Sequence, residues 1–251
     1  MDKVLLYFSL KYHGDWDKIY QALDKKEKIL HDHLSWVEQE INCQYITIIS
    51  PLYPNYLKNT YKPPFVLFYK GNLELLSKYH RAIGVVGGRE YDVDGLKTSK
   101  KIIDELSYEK RIIVTYEKYG LNNEIFNYCK EENKQHIYLL KSGIKNYLLQ
   151  NAEAKIKDEQ LILSEVYQLE NDNVELENQY AYRLLCGLSK GVLFSQFSDD
   201  DHYNELINTV INEGKELFAI PFTNTEFNGT NKLIKIGAKL TENAKDVLNE
   251  I

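Results

Sequence analysis

Apolar positions in the first forty residues recur at helical spacing. Leu5, Leu6, Phe8 and Leu10 precede a break at Gly14. Ile19, Tyr20 and Leu23 follow Asp15 or Asp17 as a cap, and Leu34, Trp36, Val37 and Ile41 mark a third helix. Helices this short bury little alone, so residues 1–43 are expected to form a small helical region leaning on a larger unit. The period then changes. Residues 45–49 are β-branched enough for a strand, Lys62-Pro63-Pro64 forces an extended chain, and 65–69 continues as a second strand ending at Gly71-Asn72. From Ala82 onward apolar runs alternate with helical patterns. Strands are predicted over 82–86, 111–115, 136–140, 160–164, 191–195 and 216–220, and helices over 93–108, 121–132, 146–157, 177–188, 202–213, 229–236 and 243–250.

Strands joined by helices of this length imply a parallel sheet covered on both faces, and runs without apolar/polar alternation agree with burial from both sides. The fold class expected is α/β: a doubly wound, mostly parallel sheet over residues 44–251, after the helical N-terminal region. Such sheets bind ligands beyond the carboxyl ends of their strands. That rule gathers Gly87 to Arg89, Thr115 to Gly120, Glu165 and Pro221 along one rim.

On this rim the stretch 81–95 carries the sharpest local chemistry. An apolar strand ends at Gly87-Gly88, Arg89 follows, and a helix opens at Val93. Glycines let a backbone approach closely, a helix N-terminus offers N–H groups, and a guanidinium is a planar fork for two phosphate oxygens. An anion seat is one reading. A purely structural strand-to-helix turn is the other.

Composition narrows the classes. The net charge is −6, yet it is unevenly spread. From Tyr53 to Arg81 five cations (Lys58, Lys62, Lys70, Lys78, Arg81) face the single acid Glu74, whereas residues 165–205 are strongly acidic. A local basic surface is therefore compatible with an acidic whole. No segment holds the roughly 18–20 apolar residues that span a bilayer, and the apolar start reads as a core helix rather than a leader. The protein is expected in the cytoplasm, away from membranes. Three scattered cysteines, Cys43, Cys129 and Cys186, read as small buried hydrophobes, and neither they nor the six histidines have metal-ligand spacing. No cofactor is expected.

The motifs then fall into a familiar order. They are Tyr53-Pro54, Pro63-Pro64-Phe65-Val66-Leu67-Phe68-Tyr69-Lys70-Gly71-Asn72, Ala82 to Arg89, Leu163-Ser164-Glu165, Arg183 to Ser189, Phe218-Ala219-Ile220-Pro221, and Gly229 to Ala238. In this the chain resembles the DNA-processing protein A (DprA, or Smf) family over roughly residues 46–251. The resemblance implies an extended Rossmann domain after a helical region. It implies a protein of natural transformation that binds and protects incoming single-stranded DNA, forms a homodimer and helps load the RecA recombinase, with no catalytic activity.

The copy departs from the family in places. Thr115 to Asn122 replaces a Ser-Gly-x-Ala-x-Gly-Ile-Asp run, and only Arg183 remains of Arg-Asn-Arg. Asp201-His202-Tyr203, after Asp199 and Asp200, stands where a Ser-Gly-Ser anion turn is usual. Three consecutive aspartates repel a phosphate. The expected DNA contacts are Gly87, Gly88 and Arg89 around one phosphate, with Lys118, Arg183, Asn231 and Lys232 along the same rim. Tyr69, Tyr91, Tyr116 and Tyr119 are nearby aromatics for base stacking. Arg183 reads equally as an ion pair with Glu165, and Asn231 as a helix cap. Leu206, Ile207, Val210 and Ile211 read as a dimer surface or as core. Two alternatives stand beside the DNA-binding reading. One is a degenerate scaffold that has lost DNA affinity. The other is a nucleotide-binding or nucleotide-cleaving enzyme, weakly echoed by Gly229-Thr230.

Overall fold

The computed structural model describes residues 1–153, 155–169 and 174–251. Residue 154, in the predicted helix 146–157, and residues 170–173, in the acidic stretch 170–179, lie outside the described residues.

Helices α1 (Asp2–Lys11), α2 (Trp16–Asp24) and α3 (His31–Trp36) come first, with the Asp15 side chain accepting from Lys18 N–H to cap α2. Strand β1 (Gln44–Thr47), helix α4 (Asn55–Lys58), strand β2 (Val66–Gly71) and helix α5 (Glu74–Ser77) lead into the alternating half. There β3 (Ala82–Val86), α6 (Val93–Tyr108), β4 (Ile112–Tyr116), α7 (Leu121–Glu131), β5 (His136–Leu139), α8 (Ile144–Gln150) and β6 (Gln160–Ser164) follow in turn. The chain continues through α9 (Val174–Gly187), β7 (Gly191–Phe194), α10 (Asn204–Asn212), β8 (Glu216–Ala219), α11 (Gly229–Lys235), β9 (Lys239–Leu240) and α12 (Ala244–Leu248).

The strands form one nine-stranded sheet, ordered β1-β2-β6-β5-β4-β3-β7-β8-β9. From β6 to β9 every pairing is parallel; β1 and β2 join antiparallel beside β6. β3 to β7 are buried at every position, which is why their sequences show apolar runs rather than alternation. One sheet face packs α9 and α10 through Tyr182, Leu185, Leu206 and Val210. The other packs α6, α7 and α12 through Ile102, Ile125 and Val247. On that same face Leu5, Leu6 and Val37 share a cluster with Val66, Phe68 and Ile162, so the N-terminal helices complete the core over the antiparallel end. The two-residue strand β9 had no visible pattern, being too short to show a period. Leu206 and Val210 are fully buried, which makes them core, while Ile211 is exposed.

Buried polar groups must find partners, and His136 at the start of β5 shows the rule half met. Its ring nitrogen Nδ1 lies 2.8 Å from Lys134 O, while Nε2 is buried with no hydrogen-bond partner among the described residues. A protonated ring would carry an unsatisfied N–H there. Burial accordingly pushes its pKa down to about 4. Folding keeps the ring neutral, so between about pH 6.5 and pH 4 the unfolded chain binds the extra proton. Stability is full above the unfolded value and falls as pH drops through that window. Urea unfolding is expected to show a loss of about 2 kcal/mol from this group between pH 7.5 and pH 5. The His136→Gln variant is expected to have a flatter profile over the same range.

Candidate functional site

The rim at the carboxyl ends of β3, β4 and β7 is built from three loops that hold one another. After Val86, the Gly87 N–H donates to Asn122 Oδ1 at 2.6 Å, and the Gly88 N–H to Gln196 O at 2.8 Å. The Arg89 N–H donates to Asp201 Oδ1 at 2.8 Å. A Cβ on Gly87 would run into Leu121, and one on Gly88 into the Asp201 carboxylate. Both positions therefore need glycine because something approaches closely. At Gly88 that something is an anion belonging to the chain itself.

Asp201 sits in the last position of a 3-10 turn, Asp199–Asp201, and its side chain is 2% exposed. Its second oxygen accepts from Ser198 N–H at 3.1 Å, closing a capping box. Lys118 brings its ammonium to 3.0 Å from Asp201 Oδ1 and to 3.9 Å from the centroid of the Tyr203 ring. Burial pulls the Lys118 pKa down, against the opposing pull of Asp201. The Tyr203 hydroxyl donates to Gly87 O, which returns the loop to the turn. The Arg89 side chain is exposed, touches Asp200 O at 3.3 Å, and has no ion pair among the described residues.

The neighbouring helix N-terminus is also occupied. Asp92 caps α6 by accepting from Gly95 N–H at 2.8 Å. Asn224 and Gln196 hold that carboxylate, and with the backbone donor they keep its pKa below the usual range. The seat expected at 87–89 thus exists, but its three N–H groups and the first turn of α6 are engaged internally.

The other expected contacts divide. Lys118 joins Gly88 and Arg89 around Asp201, while Gly87 is held by Asn122 and Tyr203. Lys232 stands beside the same turn, ion-paired with Asp199. Asn231 exchanges hydrogen bonds with the backbone of Phe222 and pins the loop after β8. Arg183 lies elsewhere. It forks onto Glu165, whose side chain is 2% exposed, and donates to Lys62 O at 2.8 Å. The pair locks α9 to the end of β6, and burial raises the Glu165 pKa against the pull of the guanidinium. With its carboxylate so committed, Glu165 is not poised as an acid or base.

Beside the seat opens a cleft of about 710 Å³ lined by Tyr116, Tyr119, Tyr138, Tyr182, Lys118 and Lys141. Lys141 pairs with Glu177 at 3.2 Å. Glu117 accepts from Lys141 N–H, Ser142 N–H and the Ser142 hydroxyl. Lys141 was not among the expected contacts, although it follows β5 just as Arg89 follows β3. Among the described residues no cluster of His, Cys, Asp or Glu is arranged to hold a metal ion, and no helix is long and apolar enough to cross a membrane.

The family model for DNA recombination-mediator protein A matches residues 44–251. The chain belongs to this family. The DNA processing protein DprA of Bacillus subtilis is 29% identical over 241 residues, covering 94% of this chain and 78% of that one. DprA of Streptococcus pneumoniae is 29% identical over 210 residues, covering 81% and 73%. The crystal structure of the S. pneumoniae protein superposes with a TM-score of 0.74 at 25% identity, over 100% of this chain and 93% of that one. A DprA structure from Helicobacter pylori, reported for its single-stranded DNA binding mode, has a TM-score of 0.66 at 22% identity and shares the fold. Membership in the DprA family gives the chain a DNA-processing context.

Within that context the buried Arg183–Glu165 pair is a structural lock. Removing one partner of such a pair strands a charge and costs about 3–5 kcal/mol. Arg183→Met is expected to lose that much stability in urea unfolding, with Glu165→Gln/Arg183→Met less affected than the single variant.

Proposed function

We propose that this chain is a non-enzymatic, cytoplasmic, single-stranded DNA-binding protein of the DprA type. In this reading it protects incoming DNA, acts as a homodimer and helps load the RecA recombinase during natural transformation. The observation that carries the DNA-binding part is the rim. Arg89, exposed and without a carboxylate partner among the described residues, stands at the mouth of a cleft that also holds Lys118, Lys141 and the exposed ring of Tyr119, the cleft's Tyr116, Tyr138 and Tyr182 being buried. Cations that track a backbone beside aromatic faces are what a single strand requires. The family membership and the DprA relatives support the same reading.

The filled seat modifies it. A phosphate approaching Gly88 meets the Asp201 carboxylate, so the strand engages the outer side of Arg89 and the cleft rather than the backbone N–H groups. Affinity is then lower than an open seat would give. A second reading follows from the same carboxylate: a scaffold that keeps its protein contacts and has lost the strand.

Titration of a labelled oligo-dT at several salt concentrations separates them. The DNA-binding reading expects salt-sensitive binding and a slope of log K against log salt that falls by about 0.7 in Arg89→Ala. Failure of the wild-type protein to bind at low salt, with RecA still retained in a pull-down, supports the scaffold instead.

A further inference from the structure

The basic run between Tyr53 and Arg81 has no part in the rim. The fold carries its end to the opposite edge of the sheet, where the parallel strands begin. The residues just before β4, β3, β7 and β8 are Arg111, Arg81, Lys190 and Lys215, and these four strands are consecutive neighbours in the sheet. The register pairs Ala82 with Ile112 and Gly191 with Glu216, so the cations line up as two adjacent couples. The Lys190 N–H donates to Ala82 O, which stitches the couples together. With strands about 4.8 Å apart, the row spans about 15 Å.

On the rim Lys118, Lys141 and Lys232 are each paired with a carboxylate. At this amino edge no carboxylate lies within ion-pair distance of any of the four cations, among the described residues. Glu213 acts on Lys215 and Glu109 on Arg111 from beyond ion-pair distance. Like charges also press on each other: Lys190 on Lys215, and Arg81 on Arg111. Between the lysines stands one aromatic ring. Lys190 Nζ donates to the Tyr56 hydroxyl at 3.0 Å, and Lys215 Nζ lies 4.9 Å from the Tyr56 ring centroid. Tyr79 meets that ring edge to face at 4.2 Å.

We propose that this edge is a second nucleic-acid site, in which phosphodiester groups of a single strand bridge Lys190 and Lys215 and a base rests on the Tyr56–Tyr79 pair. Two half-buried ammonium groups sharing one ring have no ion-paired carboxylate among the described residues, and a phosphate between them supplies the counter-charge. The inference rests on the single-strand reading above but uses none of the rim residues.

The test is an oligo-dT titration across salt concentrations of the full chain and of Lys190→Gln/Lys215→Gln, with circular dichroism to confirm that both are folded. Loss of two phosphate contacts is expected to lower the salt slope by about 1.4 and weaken binding at low salt. Photocrosslinking of an iodouracil-substituted oligonucleotide to the wild-type protein is expected to label Tyr56 or Tyr79, and this readout needs no variant. Wild-type binding with an unchanged slope in the variant, or adducts confined to the rim tyrosines, overturns the second site and leaves the single-strand reading standing. Absence of any wild-type binding overturns both.

Discussion

The rim of this protein is organised by a single carboxylate. Asp201 is almost fully buried and receives the Arg89 and Ser198 N–H groups and the Lys118 ammonium. Those three partners come from the turn after β3, the loop after β7 and the loop after β4. A buried carboxylate is stable only when such donors replace its lost hydration. The same contacts close the place where an external phosphate would sit. Gly88, which has no side chain to keep a ligand away, is covered by a side chain from 113 residues further along the chain. The acids of the turn Asp199–Asp201 divide their work: Asp201 fills the seat, Asp199 neutralises Lys232, and Asp200 offers its carbonyl to Arg89.

The molecule's two edges differ in how their cations are compensated. On the rim the ammonium groups of Lys118, Lys141 and Lys232 are matched by Asp201, Glu177 and Asp199. The amino edge carries two like-charged couples with no ion-paired carboxylate among the described residues. Net charge says nothing of this difference, since a total of −6 is compatible with both arrangements. For a polyanion, local fields within about a Debye length decide, roughly 10 Å at ordinary salt.

Much of the architecture was legible in the residues. Runs such as Ala82–Val86 and Gln160–Ser164 lack alternation because both their faces are buried, and glycines at 87 and 88 mark the strand end. The parallel order followed from the intervening helices. The pairing of the rim was harder to see. Arg183 could be a phosphate ligand or the partner of Glu165 because sequence spacing does not report which side chains face each other across a sheet edge. The aspartates were legible as repulsive, but not as the occupants of the seat. That role depends on the left-handed backbone of His202, φ 53°, after a 3-10 turn, which no periodicity announces.

Asp201 acts as a built-in anion, and neutralising it tests that role directly. Asp201→Asn keeps the shape and an acceptor for the turn, removes the negative charge and releases Lys118. At low salt its affinity for oligo-dT is expected to rise about tenfold, or about 1.4 kcal/mol. A folded variant that binds no more tightly than the wild-type protein would contradict the view that this carboxylate holds the seat against a phosphate.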